Sequence, residues 1–179
     1  MNIEAEIRSF INKEQYDSLL DFFNKNAKFL KEDEQETHYF DAKEDLRIQR
    51  NNFFSKIWMK KGKIHDEQRE EIEVKVPKED FDKLQKIFSA SGNKVKIKWF
   101  RKRKEFSWED ITVCLDYTKG YGYIIELEKM CFEQDKEESI NLLKQKLNSL
   151  DIKQTSREEF EKQFKNYQDN WESLIKEER

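Results

Sequence analysis

The sequence predicts an α+β fold built on antiparallel strands, and three observations carry that prediction. Charged and apolar residues alternate in short segments, as in NIEAEIRSF at 2–10 and REEIEVKV at 69–76. Segments with apolar residues at helical spacing lie between and after them. Three alternating segments carry Glu-x-Glu (Glu4/Glu6, Glu71/Glu73 and Glu126/Glu128), and each leads into a helical pattern.

In 2–10, Ile3, Ala5 and Ile7 take one face of a strand while Glu4, Glu6 and Arg8 take the other, because successive side chains point to opposite sides. Asn12 then caps a helix through about Asn26, with Tyr16, Leu19, Leu20 and Phe23 on its apolar face. The polar stretch KEDEQET leads into HYFD and DLRIQR, which read as short extended segments. SKIWMKKGK is a strand ending at Gly62, KGKIHDEQ is its turn, and REEIEVKV places Arg69, Glu71, Glu73 and Lys75 on one face. Pro77 opens a second helix with Phe81, Leu84 and Phe88 inward, and Gly92 ends it. Three strands follow, KVKIKWFRKRKEF, DITVCLDY and YGYIIELEKM, separated by turn signals, the last at KGYG. Two helices close the sequence. One carries Ile140, Leu143, Leu147 and Leu150, and the other carries Phe160, Phe164, Tyr167, Trp171 and Leu174.

With 179 residues, a single proline and no linker-like stretch, one domain over 1–179 is expected. Hydrophobic residues make up only 36%, but 14 Phe, 6 Tyr and 4 Trp supply bulky burial. Lys and Arg, 35 together, nearly cancel 38 Asp and Glu, and a net charge of −3 argues against a nucleic-acid binder driven by overall positive charge. No apolar run is long enough to cross a membrane, and the early acids are unlike a signal peptide, so a cytoplasmic protein is expected. Cys114 and Cys131 are not spaced as a metal or redox motif and suit a reducing compartment. His38 and His65 are too few and too far apart for a zinc site. GYGY lacks the lysine of a phosphate loop and reads as a hairpin turn. KWFRKRKEF interleaves bases with aromatics as nucleic-acid surfaces do, yet its alternation suits a strand with Arg101 and Arg103 on one face.

Taken singly, each charged strand face is what a sheet shows to water, with Glu and Lys as ordinary cross-strand pairs. Taken together they admit a sharper reading. Acids recur at Glu4/Glu6, Glu71/Glu73, Asp116 and Glu126/Glu128, and bases at Arg8, Arg47, Lys56/Lys60, Arg69, Lys75 and Arg101/Arg103. If the sheet curls into a barrel, these faces converge. Burying so much charge unpaired is prohibitive, so such a barrel is wet or filled by charged ligands. A polyanion with divalent cations satisfies both signs, carboxylates holding metal and Lys and Arg holding phosphate oxygens.

The ordered set resembles the CYTH superfamily, named for bacterial class IV adenylate cyclase and thiamine triphosphatase and also called triphosphate tunnel metalloenzymes. Glu4-Ala-Glu6-Ile-Arg8 resembles its opening E-x-E-x-K, and Tyr39-Phe40-Asp41 its YFD element. KIWMK, ending at Lys60, resembles its W-x-x-K-like strand, and Arg69-Glu-Glu71-Ile-Glu73 its R-x-E-x-E. Arg101-Lys-Arg103-Lys-Glu-Phe106 resembles K-x-R-x-x-aromatic, and LDYTKGYGYIIELE its late signature, with Asp116, Gly122, Glu126 and Glu128. Ser156 and Glu159 stand for a closing S-x-x-E. The likeness runs from residue 3 to about 160. Two departures stand out: Arg8 replaces lysine, and Arg47 and Arg50 are three apart, so that Arg47 shares a strand face with Gln49.

The resemblance implies an antiparallel β-barrel, a triphosphate tunnel, with helices packed outside. It implies Mg²⁺ or Mn²⁺ held by Glu4, Glu6, Asp116, Glu126 and Glu128. Arg8, Arg47, Lys60, Arg101 and Arg103 are implied to grip a triphosphate, with Lys56, Arg69 and Lys75 as further candidates. Glu4, Glu6, Arg8 and Lys60 are then the residues closest to the reaction, and Glu71 and Glu73 orient the bases or bind metal. The expected activity is a metal-dependent triphosphatase, a hydrolase acting on tripolyphosphate, thiamine triphosphate or ATP. The alternative is a class IV adenylate cyclase, a lyase forming cyclic AMP and pyrophosphate. A non-catalytic binder of phosphorylated ligands or RNA 5′ ends is a second alternative. The apolar spacing of the last helix suits packing on its own barrel, with a homodimer seam as the other reading.

Overall fold

The computed structural model describes residues 2–60 and 71–177. The expected turn KGKIHDEQ, with Gly62 and His65, and the phosphate-binding candidate Arg69 lie outside the described residues. The elements are β1 (Asn2–Ile11), α1 (Lys13–Asn26), β2 (Lys28–Phe40), β3 (Asp45–Arg50), β4 (Ser55–Lys60), β5 (Glu71–Val76), α2 (Phe81–Ala90), β6 (Val95–Trp108), β7 (Ile111–Thr118), β8 (Gly122–Phe132), α3 (Lys136–Ser149) and α4 (Arg157–Glu177). Among the described residues no helix is long and apolar enough to cross a membrane.

All eight strands form one antiparallel sheet in the order β1-β8-β7-β6-β2-β3-β4-β5. The sheet curls without closing, and β1 and β5 are its edges. The curl is visible in what α4 touches. Its Phe160 stacks on Phe10 of β1 and its Phe164 meets Tyr39 of β2, although these strands lie four places apart, about 19 Å in a flat sheet. Phe160 and Phe164 are one helical turn apart.

The outer face carries the main core. Ala5 and Ile7 of β1, Ile125 and Leu127 of β8, Val113 and Leu115 of β7 and Phe106 of β6 pack against Leu19 and Phe23 of α1 and Leu143 and Leu147 of α3. Each large apolar side chain fully removed from water there stabilises the fold by roughly 1.5–3 kcal/mol. A second apolar cluster, Phe40, Ile48, Phe81 and Leu84, seats α2 on β2 and β3. Period-two alternation therefore has a cause: apolar side chains must reach the helices outside, and the polar ones are left to the inner wall.

Local signals act where the sequence placed them. Asn12 caps α1 in a reciprocal box with Gln15, accepting at 2.8 Å and donating its backbone N–H at 2.9 Å. Pro77 precedes a short 3₁₀ turn at Lys78–Asp80, and α2 follows directly. The three Glu-x-Glu strands β1, β5 and β8 each lead into a helix, α1, α2 and α3. KEDEQET differs from its expected reading: it lies inside the long strand β2. Between β6 and β3 both faces of this strand meet polar partners, so no apolar alternation marked it.

Candidate functional site

Register alone gathers the charged residues on the inner face. On β1, Glu6 stands opposite Glu128 and Arg8 opposite Glu126 of β8. Glu126 stands opposite Cys114 of β7, and Asp116 opposite Arg103 of β6. Arg103 and Arg101 face Asp33 and Gln35 of β2. Further round, Tyr39, Arg47, Trp58 and Glu73 form one row across β2, β3, β4 and β5. Parallel to it run Gln49, Lys56 and Lys75, and Asp45, Lys60 and Glu71. The described site candidates thus share one curled face, with carboxylates concentrated at β1 and β8 and bases from β6 through β5.

Arg103 is the centre of the acidic side. Its Nε donates to Asp116 Oδ1 at 2.8 Å and its Nη2 to Asp116 Oδ2 at 2.7 Å, and it also donates to Glu126. Glu128 lies 3.9 Å from the same guanidinium. Burial opposes charge on Arg103, but Glu126 and Asp116 outweigh it and hold the group more firmly protonated than usual. Burial alone would push Glu126 up, yet Arg103, Arg101 and Arg8 hold it below the usual carboxylate range. Asp116, almost fully buried, also accepts from Arg101 at 3.2 Å. Its contacts here are to the two arginines.

Glu6 and Glu128 behave in the opposite sense. Glu6 is exposed, but the curled wall around it displaces much of the surrounding solvent, and that desolvation with the nearby Glu126 pushes it up to about 7. Desolvation and Glu126 push Glu128 up to about 8. Four carboxyl groups, Glu4, Glu6, Glu126 and Glu128, thus gather on β1 and β8, and two of them are held protonated because the nearby arginines do not offset burial. A hard divalent cation with oxygen ligands fits that donor set. Cys114 adds a buried thiol, its Sγ 3.9 Å from Glu128, and donor atoms of Cys114, Glu126 and Glu128 lie within 4.8 Å of one another. Burial raises that thiol well above its ordinary range.

The basic side is held by Glu73 and by two partners, Asp45 and Gln35, that the sequence reading did not single out. Asp45 accepts from Arg47 Nε at 2.7 Å and Nη2 at 2.5 Å, and Arg47 sits 4.2 Å from the centre of the Tyr39 ring and 5.4 Å from that of Trp58. Gln35 accepts twice from Arg101, at 2.8 and 2.6 Å. Lys56 donates to Glu73 at 2.6 Å, and Lys75 approaches the same carboxylate at 3.6 Å. Burial works against the Glu73 charge, but Lys56 and Lys75 hold its pKa lowered. Arg50 points outward, to Glu36 at 2.6 Å and to the face of Phe81. The polar alternation Asp33, Gln35, Thr37 in β2 was the available signal for Gln35. A surface cavity of about 590 Å³ between the end of β8 and α3 is lined by none of the site candidates.

A curled antiparallel sheet with a two-signed inner wall defines the class, and comparison with known proteins agrees. The CYTH domain model matches residues 2–170, and the chain belongs to the CYTH domain family. It is similar to a Methanocaldococcus jannaschii protein named "Putative adenylate cyclase", 38% identical over 135 residues that cover 65% of this chain and 74% of that one. Among solved structures it resembles the PH1819 protein of Pyrococcus horikoshii, with a TM-score of 0.71 and 26% identity over 87% of this chain and 94% of the other. A Bacillus halodurans protein titled a "putative adenylate cyclase" shares the fold, with a TM-score of 0.63 and 20% identity over 86% and 92%.

Proposed function

We propose that this protein is a metal-dependent enzyme that hydrolyses the terminal phosphate of a triphosphate such as tripolyphosphate, thiamine triphosphate or ATP. The observation that carries the reading is the two-signed charge on one inner wall, with Glu4, Glu6, Glu126 and Glu128 on β1 and β8, Arg8 among them, and Arg47, Lys56, Lys60, Arg101 and Arg103 on the strands further round. Family membership supports it. When bound, a Mg²⁺ or Mn²⁺ ion held by those glutamates supplies positive charge beside phosphate oxygens and makes water a better nucleophile. Arg8, Arg47, Lys60 and Arg101 grip the phosphate oxygens and offset charge as the bond to the leaving group breaks. Arg103, locked by Asp116 and Glu126, keeps the floor of the wall fixed while substrate changes. Asp45 and Gln35 aim Arg47 and Arg101, Glu73 aims Lys56 and Lys75, and register places Glu71 opposite Lys60.

The triphosphate grip suffices for hydrolysis. Cyclisation needs a seat for adenosine as well, and the name of the archaeal relative favours that second reading. The purified protein is incubated with tripolyphosphate and with ATP, each with Mg²⁺ or Mn²⁺, and the products are separated. Free phosphate supports the hydrolase, and cyclic AMP with pyrophosphate supports the cyclase. Absence of turnover with a rise in melting temperature overturns both in favour of a binder.

A further inference from the structure

Helix α4 stands apart from α1, α2 and α3 because its aromatic residues meet the charged face. The ring of Phe160 stacks on Phe10, centroids 4.5 Å apart, and the guanidinium carbon of Arg8 lies 4.7 Å from the centre of that same ring. One turn on, Phe164 lies 6.4 Å from Tyr39, which also meets Trp99 at 6.5 Å and the Arg47 guanidinium at 4.2 Å. Arg8 and Arg47 sit on strands five places apart in the sheet. The helix itself is pinned. Tyr167 donates to the Lys98 carbonyl at 2.8 Å, Trp171 to the Lys96 carbonyl at 3.0 Å, and Gly120 leaves so little room that a β-carbon there would come within 2.9 Å of Leu174.

We propose that α4 is a positioning element for the substrate grip. Phe160 holds Arg8 directly, and Phe164 holds Arg47 through Tyr39, so two bases from distant strands keep the spacing a triphosphate needs. This rests on the triphosphate reading above. The chemistry suits arginine at position 8 in particular. A guanidinium over an aromatic face uses its π surface there and keeps its in-plane N–H groups for oxygen ligands, whereas an ammonium is a compact point charge. Because coupling is reciprocal, a bound triphosphate that tightens Arg8 also tightens α4.

The test is binding of tripolyphosphate with Mg²⁺ by calorimetry to wild type, Phe160→Leu, Phe160→Tyr, Arg8→Ala and the Phe160→Leu/Arg8→Ala pair, each checked for folding by its thermal melt. Phe160→Leu is expected to weaken binding about three- to tenfold, the size of one partly desolvated cation–π contact, while Phe160→Tyr keeps wild-type affinity. In the Arg8→Ala background Phe160→Leu costs nothing further. Equal losses in both backgrounds overturn the positioning role and leave the triphosphate reading standing. A wild-type protein that does not bind tripolyphosphate overturns both. Independently of any substitution at Phe160, amide exchange across 157–177 is expected to slow when tripolyphosphate is added to wild type and not to Arg8→Ala. Unchanged exchange in wild type that binds the ligand overturns the coupling.

Discussion

Glu6 and Glu128 stand directly opposite each other on neighbouring strands of the inner wall. The wall desolvates both, and the charge of the neighbouring Glu126 adds to that, so the two carboxyls keep protons to about 7 and about 8 in place of the ordinary 4.5. The folded protein therefore binds more protons than the unfolded chain between pH 4.5 and 8, and its stability falls as pH rises through that window. For the metal-free protein we expect a melting temperature that drops steadily from pH 5 to pH 8. Mg²⁺ or Mn²⁺ is expected to raise the melting temperature far more at pH 8 than at pH 5, because the cation must displace those protons. Scanning fluorimetry with and without a chelator checks both slopes, and a cation response independent of pH contradicts the assignment.

Neutralising one member of the pair separates stability from function. Glu6→Gln keeps the shape of the side chain and removes a charge that the fold holds at a cost. The metal-free variant is expected to melt higher than wild type at pH 8 and to lose metal-dependent turnover. This is the usual trade at a site where like charges are held together for a ligand. A Glu6→Gln variant with wild-type turnover at saturating Mg²⁺ removes Glu6 from the metal set.

Arg103 makes the contrasting case. Its partners Asp116 and Glu126 are nearly buried, and it is the cation that bonds both of them. Arg103→Met removes the guanidinium that bonds both buried carboxylates, leaving Asp116 only its longer contact to Arg101, and we expect a loss of about 3–5 kcal/mol in urea unfolding. Arg103→Lys is not expected to restore it, because an ammonium cannot donate two parallel hydrogen bonds to Asp116 while reaching Glu126. Wild-type stability in Arg103→Lys contradicts the bidentate account.

These charges were legible in the sequence where one strand face was apolar. β1 and β8 alternate because Ala5, Ile7, Ile125 and Leu127 must reach the outer core, which leaves Glu4, Glu6, Glu126 and Glu128 on the other side. β2 was not legible as one strand, since Glu34 and Glu36 outside are as polar as Asp33 and Gln35 inside, and period two in hydropathy vanishes. Gln35 was missed as a partner of an arginine for a different reason, whereas Asp45 stands only two residues before Arg47 on one strand face. Gln35 meets Arg101 across 66 positions, through a register that no short pattern specifies. The place of α4 was hidden because helical apolar spacing fits any apolar surface. One sign was present: Phe10 shares the strand face of Glu4, Glu6 and Arg8, and an aromatic ring on a charged face asks for an apolar neighbour, which Phe160 supplies.

Away from the site, the two-residue turn between β6 and β7 offers a change that tests the fold without touching the inner wall. Glu109 and Asp110 both have positive φ, 45° and 63°, the backbone of a type I′ hairpin, which asparagine and glycine adopt at least cost. Glu109 is tied to Lys146 on α3, so Asp110 is the position to alter. Asp110→Gly is expected to stabilise the protein by about 0.5–1 kcal/mol by relieving the left-handed conformation. Asp110→Val, β-branched at the same φ, is expected to destabilise it by at least as much. Urea midpoints measured in parallel decide the matter, and a midpoint lower for glycine than for valine contradicts the turn assigned here.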